Sequence, residues 1–296
     1  VLVVVPAGGG FLEANQEVLD QAAIDTGAPT ETLTRATPPA GGWRLIAVDN
    51  ASTDGTGDLM RSYADRLPIV VLHEPQAGKN RALNRAIEVA EGDFYVFTDD
   101  DVLVGEDWLV EWRAVADAQP LFDVFAGRTV PLWPDGVTED SLKGLFKGVL
   151  YAQHEDDMLE GPCESYFVFG TNMAVRSSVF ASGVRFSDAI GPDNSSSYAM
   201  GSDTELARRL HAKGHKTWFA SGPVVQHIVP PEHLDRAWIL RRGYRWGRGL
   251  ARMGFPPPCP RDVLPRKNTL KALVYPLFLP VLSRDERWRR QWQFKV

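Results

Sequence analysis

Short apolar runs alternate with longer amphipathic stretches over the first third of the chain. The apolar runs are rich in β-branched residues, which predicts strands, and the stretches between them carry apolar residues at helical spacing. Predicted strands cover residues 1–5, 45–48, 69–72 and 94–98, and predicted helices cover residues 12–25, 55–66 and 78–90. Residues 26–42, rich in Thr, Pro and Gly, are predicted as a loop. This order predicts an α/β fold with a mainly parallel sheet flanked by crossover helices.

The pattern becomes less regular after residue 102. We expect helices over residues 103–118, 139–152 and 203–213, and strands over residues 121–130, 167–169 and 173–176. Near the C-terminal end, arginines recur at helical spacing with apolar residues near the opposite face, at positions Arg241, Arg245, Arg248 and Arg252. This spacing predicts a basic amphipathic helix.

The net charge of −6 conceals an uneven distribution along the chain. Residues 236–296 hold 15 Lys and Arg against 3 Asp and Glu, whereas residues 1–235 hold 17 against 35. A strongly basic extension on an acidic body indicates an anionic partner for the extension. An apolar run at 270–282 follows, interrupted by two prolines and shorter than the about 20 residues that span a bilayer. We expect it to lie in a membrane interface or to pack on the body.

Length and composition are those of an ordinary globular protein. The 296 residues are 44% hydrophobic and 24% charged, and they permit one large domain or two smaller ones. Cys163 and Cys259 are far apart and outside any disulfide or zinc spacing, which fits a reducing compartment. No secretory signal is visible at the start, although a trimmed N-terminus stays an alternative. We therefore expect a cytoplasmic protein.

Three consecutive carboxylates, Asp99, Asp100 and Asp101, directly follow the predicted strand at 94–98. Crowded carboxylates disfavour one another's ionisation, and a divalent cation removes that penalty. Hard cations such as Mn2+ or Mg2+ prefer oxygen ligands and commonly share them with substrate phosphates. The triplet therefore predicts a metal-phosphate site, and a solvated acidic loop is the alternative.

Four further motifs occur in a specific order. They are VVVPA at 3–7, VDNASTDGT at 48–56, GKNRALN at 78–84 and SDTEL at 202–206. Taken singly, the second is good turn chemistry and the third and fourth are capped helix starts. Together with the acidic triplet, they resemble the family 2 glycosyltransferases of GT-A fold over about residues 1–250. The chain departs from that family at Gly8–Gly10, where a Tyr-Asn or Arg-Asn pair is usual, and at Ser202, where an acid is usual.

The resemblance implies roles for individual residues. The nucleotide would be bound by Pro6, Ala7, Asp49, Asn50, Lys79, Asp99 and Asp100. A Mn2+ or Mg2+ ion would be bound by Asp101 and Asp99. The position of His227 fits a third metal ligand or a diphosphate contact, and a structural histidine is the alternative. Asp203 would be the catalytic base that deprotonates the acceptor hydroxyl, as a single displacement with inversion requires. Glu205 would be a backup base or acceptor contact, and Gly170–Asn172 a further acceptor contact.

A segment about forty residues beyond Asp203 reads R-x-x-R-W, with Arg242, Arg245 and Trp246. It is similar to the (Q/R)-x-x-R-W motif of membrane-associated relatives, which implies that these residues help to form the acceptor side at a membrane surface. Basic amphipathic segments bind anionic lipid headgroups. A helix whose Trp merely packs on the body is the alternative.

These inferences predict a catalytic domain over residues 1–232, with a nucleotide-binding half to about 102, and a basic extension over 233–296. The function expected is metal-dependent, inverting transfer of a sugar from a nucleotide-sugar, most simply a UDP-sugar, to a saccharide or lipid-linked acceptor. We expect a cytoplasmic enzyme, peripheral at the cytoplasmic membrane face, with no nucleic-acid partner. A sugar-phosphate nucleotidyltransferase and a non-catalytic sugar-nucleotide-binding subunit are the alternatives.

Overall fold

The computed structural model describes residues 2–7, 29–138, 142, 145–193 and 195–255. The predicted helix at 12–25 and the apolar run at 270–282 lie outside these residues, as do the Gly8–Gly10 loop and Cys259.

The first part of the chain forms parallel strands joined by helices, as predicted. Its strands are β1 (Leu2–Ala7), β2 (Arg44–Asn50), β3 (Ile69–Glu74) and β4 (Phe94–Thr98), and its helices are α1 (Pro29–Leu33), α2 (Thr56–Arg61) and α3 (Lys79–Val89). The strands pair in parallel in the order β3-β2-β1-β4. Their carboxyl ends therefore lie along one edge of the sheet.

The second part extends the same sheet. Its strands are β5 (Val102–Val104), β6 (Val124–Leu132), β7 (Gly161–Pro162), β8 (Asn172–Arg176) and β9 (Thr217–Ile228), and its helices are α4 (Trp108–Ala118), α5 (Lys147–Tyr151), α6 (Ser177–Ala181), α7 (Ser202–Ala212) and α8 (Arg236–Arg252). Beyond β4 the order is β8-β6-β9-β5, and β7 pairs with β9. Within the described residues, β5, β7 and β8 run against the direction of the other six strands. The prediction of a mixed, mainly parallel sheet is confirmed.

Alternating residues of the central strands divide the core between the two faces of the sheet. Ile46 and Phe97 pack on one face, in a cluster that includes residues of α3 and α7. Leu45 and Phe94 pack on the other face, in a cluster that includes residues of α4. β2 is buried from its second to its sixth residue and β4 is buried throughout. Burial on both faces fixes these strands, and the acidic triplet directly follows β4.

Several predicted boundaries are wrong. The helix predicted from residue 103 begins at Trp108, because the apolar run Val102–Val104, with a β-branched residue at each end, pairs with β9 as a strand. Residues 167–169 are not a strand, since the chain first makes a short 3-10 turn at Ser165–Phe167. The predicted loop at 26–42 contains the short helix α1.

Two predicted helices are shorter than expected. In the described part of the helix predicted at 139–152, only Lys147–Tyr151 is α-helical. The helix predicted at 55–66 ends at Arg61, where the chain passes into turns. None of the helices within the described ranges is long and apolar enough to cross a membrane.

Candidate active site

The carboxyl ends of the parallel strands bring the predicted nucleotide residues to one edge. Ala7 is in register with Asp49 on β2, and Asp49 is in register with His73 on β3. Pro6 precedes Ala7 on β1, and β4 ends directly before the triplet 99–101 on the other side of β1. Open α/β sheets bind ligands at this edge.

Lys79 lies opposite the acidic triplet at the start of α3. The chain reaches it through Gly78, whose φ of 147° is a conformation that favours glycine. Lys79 Nζ forms an ion pair with Asp99 Oδ1. Burial opposes the charge of Lys79, but Asp99, followed by Asp203 and Asp101, outweighs burial and raises the pKa of the ammonium group. Lys79 is therefore a fixed cation within the acidic cluster.

Asp203 is fixed by backbone hydrogen bonds near the start of α7. Its Oδ2 accepts from Gly170 N–H at 2.6 Å and its Oδ1 accepts from Thr204 N–H at 2.9 Å. Gly170 separates Asp203 from Lys79, since a Cβ at this position would lie 3.4 Å from Asp203 Oδ2 and 3.5 Å from Lys79 Nζ. The cleft that the three residues share is also lined by Leu83, Phe97, Thr98, Asp99, Met173, Phe186 and Ser202.

His227 contacts Asp101 across the pairing of β5 and β9. Val102 is in register with His227, whose Nε2 is 3.2 Å from Asp101 Oδ2. His227 Nδ1 donates to the Tyr151 carbonyl at 2.8 Å, because a carbonyl can only accept. Burial lowers the pKa of His227, but Asp101 outweighs burial and raises it. Conversely, burial raises the pKa of Asp101, and the charge and hydrogen bond of His227 bring it down to about 2.

Asp100 shows the electrostatic crowding predicted from the triplet. Burial, followed by the charges of Asp101 and Asp99, raises the pKa of Asp100 to about 7 despite the opposing effect of Lys79. Asp101 Oδ1 is buried and has no hydrogen-bond partner in the described part of the chain. A buried oxygen without a partner fits a ligand for a hard cation.

The described residues do not form a metal site from protein ligands alone. Within the described residues, no three His, Cys, Asp or Glu side chains are grouped so that they could hold a metal ion. Asp99 is engaged by Lys79, and His227 by Asp101 and the Tyr151 carbonyl. A cation at Asp101 would therefore take further ligands from water and substrate phosphate, as Mg2+ commonly does.

Asp49 lies near the end of β2 and is held in place by the turn that follows. Its Oδ1 accepts from Ser52 N–H at 3.1 Å, and its Oδ2 is 3.2 Å from Nδ1 of His73. Gly57 provides the space for this carboxylate, because a Cβ there would lie only 2.8 Å from Asp49 Oδ2. Sequence reasoning missed His73, although its place directly after a predicted strand puts it at the same edge as Asp49.

Asn50 connects the end of β2 to the loop before α3. Its Nδ2 donates to the carbonyls of Gln76 at 2.9 Å and Glu74 at 3.4 Å, and its Oδ1 accepts from Gly78 N–H at 2.7 Å. These hydrogen bonds fix the loop that leads to Lys79. The structure therefore shows a supporting role for Asn50, and nucleotide contact stays a prediction.

Glu205 lies apart from the cleft that contains Asp203. Its carboxylate makes a two-pronged ion pair with Arg209, at 2.8 and 3.0 Å. It lines a separate cavity with Arg208, Arg209 and Arg252. The geometry places Glu205 among arginines and not beside Lys79 and Asp99.

The three residues of the R-x-x-R-W motif contact different parts of the structure. Arg242 lies toward the acidic cluster: burial lowers its pKa, while Tyr198, Asp101 and Asp203 favour its charge. Its Nε donates to the Val149 carbonyl at 3.2 Å.

Arg245 and Trp246 instead contact the segment before α7. Arg245 Nε donates to the Ser196 carbonyl at 3.1 Å, and its guanidinium lies 4.5 Å from the ring centroid of Tyr198. Trp246 packs against Gly201.

Asn172 has a structural role that its motif position did not reveal. This side chain is fully buried; its Oδ1 accepts from Trp108 Nε1 at 3.1 Å, and its Nδ2 donates to the carbonyls of Arg128 and Pro223. Tyr151, whose carbonyl orients His227, was not predicted, because this contact depends on folding rather than on sequence spacing.

The mixed sheet has acids at the carboxyl ends of its parallel strands and a lysine at the start of the next helix, which is the edge where open α/β sheets bind ligands. The family model described as Glycosyl transferase family 2 matches residues 30–183, more than half of the chain. The chain belongs to glycosyl transferase family 2, which confirms the resemblance inferred from the motifs.

Two curated relatives are similar to this chain over most of its length. The chain is 26% identical over 219 residues to the succinoglycan biosynthesis protein ExoM of Rhizobium meliloti, an alignment that covers 71% of this chain and 64% of that protein. It is 24% identical over 220 residues to the glycosyltransferase AglE of Haloferax volcanii, covering 73% of this chain and 66% of that protein. The chain thus spans less than two thirds of the length of either relative.

A solved structure with the same fold is the mannosyltransferase PcManGT of Pyrobaculum calidifontis, a complex with GDP-Man and Mn2+. It aligns with a TM-score of 0.59 at 22% identity, covering 96% of this chain and 72% of that one. This likeness confirms the predicted GT-A fold.

Proposed function

We propose that this chain is a metal-dependent, inverting glycosyltransferase that moves a sugar from a nucleotide-sugar, most simply a UDP-sugar, to an acceptor hydroxyl. One observation carries the proposal: Asp203, Lys79 and Asp99 share one cleft at the carboxyl ends of the strands. A carboxylate held by backbone N–H groups, a fixed cation and an acidic metal loop are the three parts that such a transfer needs.

The donor would lie along the strand edge. Asp49, with Pro6, Ala7 and Asn50, would adjoin the nucleobase and ribose, since a carboxylate can accept from a uracil ring N–H. Lys79, at the N-terminus of α3, would contact the diphosphate, because a helix N-terminus with an added cation favours an anion. Asp99 and Asp100 would orient the ribose and metal-bound water.

Mn2+ or Mg2+ would bind at Asp101, where the buried Oδ1 lacks a partner in the described residues, with Asp99 and His227 close by. The cation would supply charge neutralisation on the departing nucleoside diphosphate. His227 positions Asp101 through their contact at 3.2 Å. Lys79, whose charge Asp99, Asp203 and Asp101 all favour, would act on the same phosphates.

Asp203 would take the proton from the acceptor hydroxyl as that oxygen attacks the anomeric carbon. Both of its oxygens accept backbone N–H groups, which fixes the direction of the remaining lone pairs. The apolar residues Leu83, Phe97 and Phe186 line the cleft and limit water near this carboxylate.

The acceptor would approach from the side of α8. Arg242, turned toward the acidic cluster, is the α8 residue best placed to meet it. The sequence also predicted acceptor contacts at Arg245, Trp246 and Glu205, but Arg245 and Trp246 contact the segment before α7, and Glu205 pairs with Arg209. The acceptor would be a saccharide or a lipid-linked one. Within the predicted domains, residues 1–102 would bind the nucleotide, residues 103–232 the acceptor, and residues 233–296 an anionic membrane surface on the cytoplasmic side.

The experiment that tests the function is the variant Asp203→Asn. Asn keeps the shape and one hydrogen-bond acceptor but cannot take a proton, so we expect transfer to fall by at least about 100-fold, while the Kd for UDP in the presence of Mn2+ stays unchanged. Release of UDP with acceptor glycosylation would be followed by mass spectrometry. Retained turnover would remove Asp203 from the role of base, and release of pyrophosphate from a sugar phosphate and NTP would favour a nucleotidyltransferase.

A further inference from the structure

Helix α8 packs along the segment that leads into α7 and Asp203. This segment is residues 196–201. It is also fixed to the body, because Ala199 is buried and its carbonyl accepts from Gly191 N–H at 2.6 Å. Met200 N–H donates to the Arg245 carbonyl at 3.0 Å. The base-bearing helix is therefore joined at its start to the backbone of α8.

Arg245 adds two side-chain contacts to the same segment. Its Nε donates to the Ser196 carbonyl at 3.1 Å, and its planar guanidinium lies over the ring of Tyr198. A guanidinium stacks and donates in fixed directions, so it determines the geometry of the segment more strictly than a flexible ammonium would.

Two glycines allow the close approach of α8 to this segment. A Cβ at Gly249 would lie 1.8 Å from the Met200 carbonyl oxygen, which is a backbone atom and cannot rotate away. A Cβ at Gly201, where φ is 107°, would lie 2.8 Å from a ring carbon of Trp246. Any side chain at Gly249 must therefore displace either α8 or the segment.

Gly201 is the N-cap of α7, and Asp203 follows it by two residues. A shift of the segment therefore moves Asp203 relative to Gly170 N–H and Lys79. We propose that Arg245, Trp246 and Gly249 are positioning residues that set the location of Asp203 through the segment 196–201, an inference that rests on the proposed role of Asp203 as base. They act on the acceptor's proton transfer without contacting the acceptor.

The first test compares Gly249→Ala with Gly247→Ala, its matched control on the same helix. Both substitutions raise helix propensity equally, but a Cβ at Gly247 meets no atom within 4 Å. We expect Gly249→Ala to lower kcat by about 100-fold, since a displacement near 1 Å can cost that much, with unchanged acceptor KM and donor Kd. Gly247→Ala should keep the kcat of the parent enzyme.

The second test does not depend on the folding of Gly249→Ala. Arg245→Lys keeps the charge but loses the planar fork, so it should lower kcat as much as Arg245→Ala does, again without raising acceptor KM. Parental kcat in Arg245→Lys would overturn the proposal, as would a raised acceptor KM at unchanged kcat, which indicates direct acceptor contact. Full turnover in Asp203→Asn would contradict the proposed function itself. Loss of turnover in Asp203→Asn, together with full turnover in Gly249→Ala and Arg245→Lys, would contradict only the positioning role.

Discussion

Within the acidic triplet, two of the three carboxylates have a cation supplied by the chain itself. Lys79 pairs with Asp99, and His227 pairs with Asp101. Asp100 has no ion pair in the described residues, and its pKa is raised to about 7. A divalent cation at the triplet would favour the ionised form of Asp100. The sequence alone predicted crowding, but the assignment of each cation to one carboxylate depends on the pairing of β5 with β9 and on the start of α3.

His154 provides a test of folding energetics at the residue scale. It is buried, its Nδ1 accepts from Thr129 N–H and its Nε2 donates to the Phe167 carbonyl, so the ring is neutral. Burial lowers the pKa of His154 to about 4. Because this pKa lies below the unfolded value of about 6.5, the unfolded chain binds the extra proton first. The stabilisation is present above pH 6.5 and is lost as the pH falls toward 4.

We therefore expect urea midpoints of the parent protein to decline between pH 6.5 and 4. His154→Gln removes this titration, so its midpoint should be lower at pH 7 but decline less steeply with acid. His211, for which the structure gives an exposed position on α7, is the matched control as His211→Gln. Equal slopes for the parent and His154→Gln would show that this histidine does not control acid stability.

Asp49 and Asn50 show how far residue roles could be predicted. The turn pattern correctly placed both at the edge of the sheet, because a strand followed by turn residues is a local signal. The partners of Asn50, however, are backbone groups of Glu74, Gln76 and Gly78, brought near by the pairing of β2 with β3. Such contacts carry no sequence signature, since any residue supplies a carbonyl or an N–H.

Among the secondary-structure elements, α8 contacts two parts of the site: Tyr151 near His227, and the segment before α7. One face contacts the body: Trp238 stacks on Tyr151, whose carbonyl orients His227. Arginine spacing predicted this helix well, because periodicity is a local property. The face that packs was not predictable, since it depends on Gly249 and on a segment from a distant part of the chain.

The outer face of α8 carries arginines and a tyrosine. Arg241 and Tyr244 are exposed, and Arg248 lies near the ring of Tyr244. Basic and aromatic side chains together suit an anionic bilayer surface. We expect the triple variant Arg241→Gln, Tyr244→Ser, Arg248→Gln to pellet several-fold less with vesicles containing phosphatidylglycerol, while parental binding weakens as salt increases.

The same number of arginines removed elsewhere provides the control. Arg61 and Arg85 take part in ion pairs on the body. The double variant Arg61→Gln, Arg85→Gln removes two arginines, as the α8 variant does, and should leave vesicle binding unchanged. Binding that is insensitive to the α8 substitutions would assign it to another part of the chain, and retention on RNA in place of vesicles would assign the basic surface to nucleic acid.

At the scale of the whole molecule, the sheet order explains why fold class was easier to predict than boundaries. Parallel strands buried on both faces give continuous apolar runs that are visible in sequence. By contrast, Val102–Val104 is a strand because it pairs with β9. The helix that was predicted from residue 103 therefore begins at Trp108. The fold is thus encoded locally in its parallel half and through long-range pairing in the rest.

Nucleotide binding should raise the stability of the whole domain. A nucleotide at the strand edge would contact β1, β2, α3 and the triplet, so binding should stabilise the folded state as a unit. At a ligand concentration of 100 Kd the gain is about 2.7 kcal/mol, which raises the Tm by several degrees. We expect a UDP-sugar with Mn2+ to give a larger shift than GDP- or dTDP-sugars, and Lys79→Met to reduce it. An equal shift by all three nucleotides would contradict base recognition at Asp49, and a shift independent of Mn2+ would contradict the metal at Asp101.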